Sequence, residues 1–96
     1  MFILSLTYKK PTEEADKHMA AHMEWVKKGY ADGMFLASGR KVPRTGGVVF
    51  ARGERAAIEA YCAADPFTIH EIADYDIAEV NLTTVVEGLE QLKDQA

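Results

Sequence analysis

Residues 34–52 read MFLASGRKVPRTGGVVFAR, and this stretch decides the fold. Met34–Val42 and Gly47–Arg52 have the apolar, β-rich composition of strands. Between them Pro43-Arg44-Thr45-Gly46 supplies turn chemistry, so the two halves form a hairpin. On each side of the hairpin lies one helix and then one strand. Upstream, Phe2–Tyr8 is a strand closed by Lys9-Lys10-Pro11. Thr12 is a suitable N-cap, and Glu13, Glu14 and Asp16 place negative charge at the positive end of a helix dipole. That helix runs to about Asp32, where Gly33 gives a left-handed stop. Downstream, Glu54–Ala64 is a second helix broken at Asp65-Pro66, because a proline disfavours helix in the residue before it. Pro66–Glu71 adds a further turn, and Tyr75–Leu82 is the fourth strand. The order βαββαβ predicts an α+β, ferredoxin-like sandwich: a four-stranded antiparallel sheet with both helices on one face. Thr84-Val85-Val86-Glu87 has capping-box form, and Val85, Leu89 and Leu92 share a face, which predicts a short helix within residues 83–96. The whole of 1–96 reads as a single domain.

Composition bounds the function. The chain has 96 residues, a formal net charge of −4, 48% hydrophobic and 27% charged residues. No run of basic residues exceeds a pair, which argues against a nucleic-acid partner. No apolar stretch is long enough for a membrane span. Basic residues follow the apolar N-terminal run instead of preceding it, the wrong order for a secretory signal. The lone Cys62 has no internal disulfide partner and predicts a reducing, cytoplasmic setting. A domain of this size buries only about 60–65% of its unfolded surface. It has little room for a core and a deep pocket together. In the first strand Phe2, Leu4 and Leu6 share one face, and Ile3, Ser5 and Thr7 the other. The second face is semi-apolar, which predicts that another copy of the chain covers it and supplies missing walls to the site.

Helix phase picks out two titratable residues. Ala15, Met19, Met23, Val26 and Tyr30 form one stripe of the first helix. At about 100° per residue, His22 falls about 20° from Ala15 and about 40° from Val26, on the edge of that stripe. His18, beside Trp25, lies further round and is expected to be wetter. Gly29, seven residues after His22, costs about 1 kcal/mol of helix propensity and could leave room for a ligand or group to approach. On the second helix Ala57, Ile58, Tyr61 and Cys62 form the apolar stripe, and Asp65 continues it. A buried carboxylate needs a partner, and an imidazole held by one is oriented and becomes a better base. The plainer alternatives are a structural histidine at the edge of a core and an aspartate that merely N-caps the turn beginning at Pro66.

Other candidates carry less. His18 and His22 have the i, i+4 spacing of zinc ligands, but no Cys or further His lies close by in sequence, so no metal is expected. Ser38 and Gly39 could offer a hydroxyl and a backbone N–H to a substrate. Arg40, Lys41 and Arg44 make the hairpin locally positive and could attract a small anion. Tyr8, at a strand end, could donate a hydrogen bond into a pocket. Cys62 on an apolar helix face is expected to be inert, and Met19, Met23 and Trp25 read as core or interface packing.

The chain resembles the YCII-related (YciI-like) family of small bacterial proteins. The resemblance rests on Phe2–Tyr8 followed by Pro11, on Ala21-His22-Met23-Glu24-Trp25, and on Gly33-Met34-Phe35-Leu36-Ala37-Ser38-Gly39. It continues through Val42-Pro43-Arg44-Thr45-Gly46-Gly47 and Asp65-Pro66-Phe67. It implies a dimeric α/β barrel joined through the sheets, with muconolactone isomerase and dehydrochlorinases of ring compounds as relatives of similar fold. It also implies a His–Asp site, which maps onto His22 and Asp65, with a polar pocket around Ser38. The resulting expectation is a cofactor-free lyase or isomerase for a small, cyclic, anionic compound. His22 and Asp65 would be catalytic, and Ser38, Gly39, Tyr8 and Arg44 would bind substrate. The alternative is a non-catalytic ligand-binding or accessory dimer.

Overall fold

β1 (Phe2–Tyr8) is the hub of the sheet because its alternate residues are its most apolar. Phe2, Leu4 and Leu6 are all buried. The computed structural model describes residues 1–93. After β1 come α1 (Thr12–Lys17), α2 (Met19–Ala31), β2 (Phe35–Arg40) and β3 (Gly46–Ala51). They are followed by α3 (Arg55–Ala63), α4 (Pro66–Ile69), β4 (Ala73–Glu79) and a 3₁₀ turn, Glu90–Leu92. The sheet order is β2-β3-β1-β4, with every pairing antiparallel. This is the ferredoxin-like α+β fold that the element order predicts, with an open sheet.

Register decides strand ends that composition misplaces. β4 starts at Ala73 and not at Tyr75, because β1 continues to Tyr8 and offers it a partner. It stops at Glu79, opposite Phe2, and the ladder closes with bonds between Met1 and Val80. Across the sheet, Leu4 pairs with Val49 and Ile77, and Leu6 pairs with Gly47 and Tyr75, so these residues share the helix-covered face. Ile3, Ser5, Val48, Phe50, Ala37, Gly39 and Ala78 share the opposite face and are half-buried or exposed.

The first helix differs from expectation. It is broken at His18, whose backbone leaves helical geometry at φ −114° and ψ 8°. There the His18 ring stacks on His70 with centroids 4.0 Å apart, a long-range contact that local sequence does not show. The expected N-cap also moves: Pro11 is the cap and Thr12 the first helical residue, with no side-chain capping bond. Because of the break, the buried side of α2 is Trp25, Val26 and Gly29, while Met23 and Tyr30 are 42% and 41% exposed. Gly29 makes room for a protein group and not for a ligand. A Cβ there would lie 2.4 Å from the Phe35 ring, so the glycine lets β2's first residue pack into the helix.

The expected C-terminal helix is not formed over Thr84–Leu89. Gly88 takes φ +99° in what would be its middle, and Val86 and Leu89 are largely exposed. A short helix draws its stability from packing an apolar face, and this stretch leaves Leu89 of that face largely exposed. Of the remaining residues, Glu90–Leu92 form a single 3₁₀ turn, and 94–96 lie outside the described residues.

Gly46 closes the hairpin onto β1. A Cβ there would sit 1.8 Å from the Leu6 carbonyl oxygen, and the backbone is at φ +153°. Gly46→Ala is therefore expected to lose about 2–4 kcal/mol by displacing the central strand. Urea denaturation of the variant reads this, and an unchanged midpoint would refute the close approach.

Candidate active site

Two helices are clamped together before any titratable group is placed. The Trp25 indole N–H of α2 donates to the Tyr61 carbonyl of α3 at 2.9 Å, and the Tyr61 hydroxyl donates back to the Trp25 carbonyl. Their rings stack, with centroids 4.7 Å apart and planes 15° from parallel. This reciprocal pair satisfies buried polar groups and fixes the helix spacing. His22 lies one turn before Trp25, and Asp65 one turn after Tyr61. The clamp brings them together.

Asp65 is 0% exposed, the one polar or charged residue buried among the described residues. Its Oδ1 lies 2.8 Å from His22 Nδ1 and accepts the Phe67 N–H at 3.0 Å. Its Oδ2 accepts the Tyr75 hydroxyl at 2.6 Å. The capping contact and the contact with His22 are therefore compatible. The residue N-caps α4, with Pro66 at the first helical position, and also holds His22. Burial drives the Tyr75 hydroxyl far above the ordinary tyrosine range, and the Asp65 charge adds to it, so Tyr75 stays a donor. Because Oδ1 already accepts a backbone N–H, the proton between it and the imidazole belongs on His22 Nδ1. The imidazole lies flat on Phe67, centroids 4.1 Å apart and planes 2° from parallel, with Trp25 beyond at 5.6 Å. Its side chain is 12% exposed.

That exposure opens on a cavity of about 280 Å³ between α2 and the inner face of the sheet. His22, Ser38, Gly39, Tyr8 and Arg44 all border it, while Asp65 stands behind His22. Ser38 projects on this side, as its partner Val49 does, and its hydroxyl is 2.7 Å from the Tyr30 hydroxyl. Gly39 contributes backbone only, since it pairs with Val48 of the outer face and a Cβ on it would meet nothing within 4 Å. The Arg44 guanidinium lies 5.9 Å from the centroid of the Tyr8 ring and 2.6 Å from Asp16 Oδ1, which ties the hairpin to α1. Arg40 borders the cavity as well, whereas Lys41 turns outward to Thr7. His18 and His22 do not converge on one point, because His18 stacks on His70 and His22 on Phe67.

Tyr75, Phe67, Tyr30 and Asp16 are the residues that sequence reasoning left without a role. Strand alternation places Tyr75 with Ile77 on the inner face and so signals its burial, but its bond to Asp65 depends on the sheet order. The Arg44–Asp16 and Ser38–Tyr30 pairs carry no local signal.

The model of the YCII-related domain matches residues 1–81. No curated protein matches the chain. Among solved structures the chain is similar to 5-chloro-2-hydroxyhydroquinone dehydrochlorinase (TftG) from Burkholderia phenoliruptrix AC1100, in complex with 2,5-dihydroxybenzoquinone. The TM-score is 0.70 at 15% identity, covering 84% of this chain and 94% of that one. The likeness is one of fold.

Two outcomes test the geometry directly. Asp65→Ala strands the Tyr75 hydroxyl and removes the cap of α4, so it is expected to cost about 2–4 kcal/mol in chemical denaturation. A loss below 1 kcal/mol would contradict a shared buried carboxylate. Cys62 is buried and its thiol is pushed up to about 12, by burial first and then by the Asp65 charge. Iodoacetamide at neutral pH should leave it unmodified in the native protein and label it only after unfolding. Rapid native labelling would show that α3 is not packed as described.

Proposed function

The chain belongs to the YCII-related family, and we propose that it is a lyase or isomerase acting on a small, cyclic, anionic compound, with His22 as general base. The observation that carries this reading is an imidazole held by a fully buried carboxylate at 2.8 Å while its ring borders a cavity. In the proposed reaction Nε2 takes a proton from a hydroxyl, or from carbon beside a carbonyl. The electron pair left behind either expels a leaving anion, and the proton then passes from His22 to water, or shifts a double bond, and the proton returns to another carbon of the substrate. Asp65 steadies the imidazolium formed in between. Such positioned proton transfer contributes about 10²–10⁴ in rate and needs no oxidant or nucleotide. Ser38 and Tyr8 would orient the substrate oxygens, with the Gly39 backbone beside them. Arg44 would turn from Asp16 to a substrate anion, a trade of one charge-assisted bond for another. A cavity of about 280 Å³ sits at the lower end of ligand pockets and suits one ring. The dehydrochlorinase of the same fold carries a ring compound of that size class.

We also propose a homodimer through the outer sheet face, where Ile3, Ala37, Val48, Phe50 and Ala78 present apolar surface. No helix among the described residues is long and apolar enough to cross a membrane. With the lone Cys62, the cytoplasm is the proposed setting.

A non-catalytic ligand-binding module is the second reading. The close packing of His22 on Phe67 and the Ser38–Tyr30 bond favour it, since both engage groups that catalysis needs.

The readings separate on a panel of chlorinated and hydroxylated hydroquinones and unsaturated lactones. Turnover should fall at least about 100-fold in His22→Asn with little change in stability. Saturable binding with no turnover of any bound compound would establish the binding module instead. For the dimer, Gly39→Arg adds a side chain where the fold leaves open space, so it should convert a dimer to a monomer in light scattering. A wild-type monomer at micromolar concentration would overturn the assembly.

A further inference from the structure

The buried hydroxyl of Tyr75 has no part in the proton transfer just described, yet it makes the shortest contact on Asp65, at 2.6 Å. We propose that Tyr75 is a positioning residue: by occupying Asp65 Oδ2 as a donor, it holds His22 as the Nδ1–H tautomer, with Nε2 bare toward the cavity. Its catalytic consequence rests on reading His22 as a base, but the arrangement itself does not.

The argument is a count of donors and acceptors. Phe67 N–H can only donate, so Asp65 Oδ1 is an acceptor whatever else happens. The free place for a proton on this carboxyl is Oδ2. Tyr75 fills it from β4, where register opposite Leu6 on the central strand holds the ring on the inner face. While the hydroxyl is there, the group stays a charged acceptor, and its bond from His22 Nδ1–H is charge-assisted, about twice as strong as a neutral one. Without the hydroxyl, Oδ2 is buried with no donor. The carboxyl then does best by keeping a proton of its own, as buried charges without partners do. A neutral carbonyl oxygen at Oδ1 no longer holds Nδ1–H with charge-assisted strength, and the Nε2–H form, which cannot act as a base toward the cavity, becomes populated.

The surroundings leave this role to Tyr75. From α3 the titratable neighbours are Tyr61 and Cys62, and burial keeps both neutral. On the cavity side stand Tyr8, Arg40 and Arg44, and Arg44 is engaged with Asp16. His18, one turn before His22, is stacked on His70. Oδ2 takes its hydrogen bond from Tyr75.

Ring ¹⁵N resonances of the neutral His22 imidazole report the tautomer without any substrate. The wild-type protein should show more than about 90% Nδ1–H, and Tyr75→Phe should reduce this to about half, with amide spectra of β1–β3 unchanged. An unaltered tautomer in a folded Tyr75→Phe protein overturns the proposal. If that variant does not fold, 3-fluorotyrosine at position 75 keeps the shape and strengthens the donor. It should draw charge from Asp65 and move the His22 Nδ1 proton upfield, and a fixed resonance overturns the proposal equally. Loss of turnover in His22→Asn with no tautomer change in Tyr75→Phe would sink this inference and leave the proposed function standing. The reverse pattern would do the opposite.

Discussion

A carboxylate with no exposed surface is the constraint around which this molecule is arranged. Burying an unpaired Asp65 would cost many kcal/mol, and in practice the group would neutralise or the site would open. The fold meets that demand with donors from α2, from α4 and from β4. The elements reach the point by separate routes. α2 is set by the Trp25–Tyr61 clamp, α4 by the Asp65-Pro66 break, and β4 by pairing along β1. A shift of any of them leaves a buried charge short of a partner, so one side chain enforces the relative position of all of them. The device that ends α3 is also the device that orients His22.

Much of this is legible in sequence because the key relations are short-range. His22 precedes Val26 by one helical turn inside α2, so their phase survives the break at His18, whereas the phase against Ala15 was measured across that break. Asp65 continues the stripe of Tyr61 and Cys62 within one turn of α3. The hairpin announces itself through Pro43 and Gly46. In each case the signal and the structure lie within a few residues of each other, where backbone geometry leaves few options.

What sequence does not show is set by contacts between distant residues. The break at His18 coincides with a stack on His70, and the limits of β4 follow its register along β1. Tyr75 reads as an ordinary inward-facing aromatic until the order β2-β3-β1-β4 carries β4 beside the end of α3. The C-terminal stretch fails for the complementary reason. Its local pattern favours a helix, but Val86 and Leu89 stay largely exposed, and pattern without burial does not hold a short helix.

The two faces of the sheet also separate two roles that a small domain was expected to combine. The cavity lies on the inner side, bordered by α2, by β2 and the hairpin, and by residues of β1, β3 and β4. The two sides meet at Gly39, whose backbone borders the cavity while its absent side chain would point outward. Ser38, the residue before it, projects inward on the same strand. A copy pressed against the outer face would thus touch the site through β2 alone, by limiting how far that edge strand can move. Assembly of that kind would act on the rigidity of the Ser38 wall.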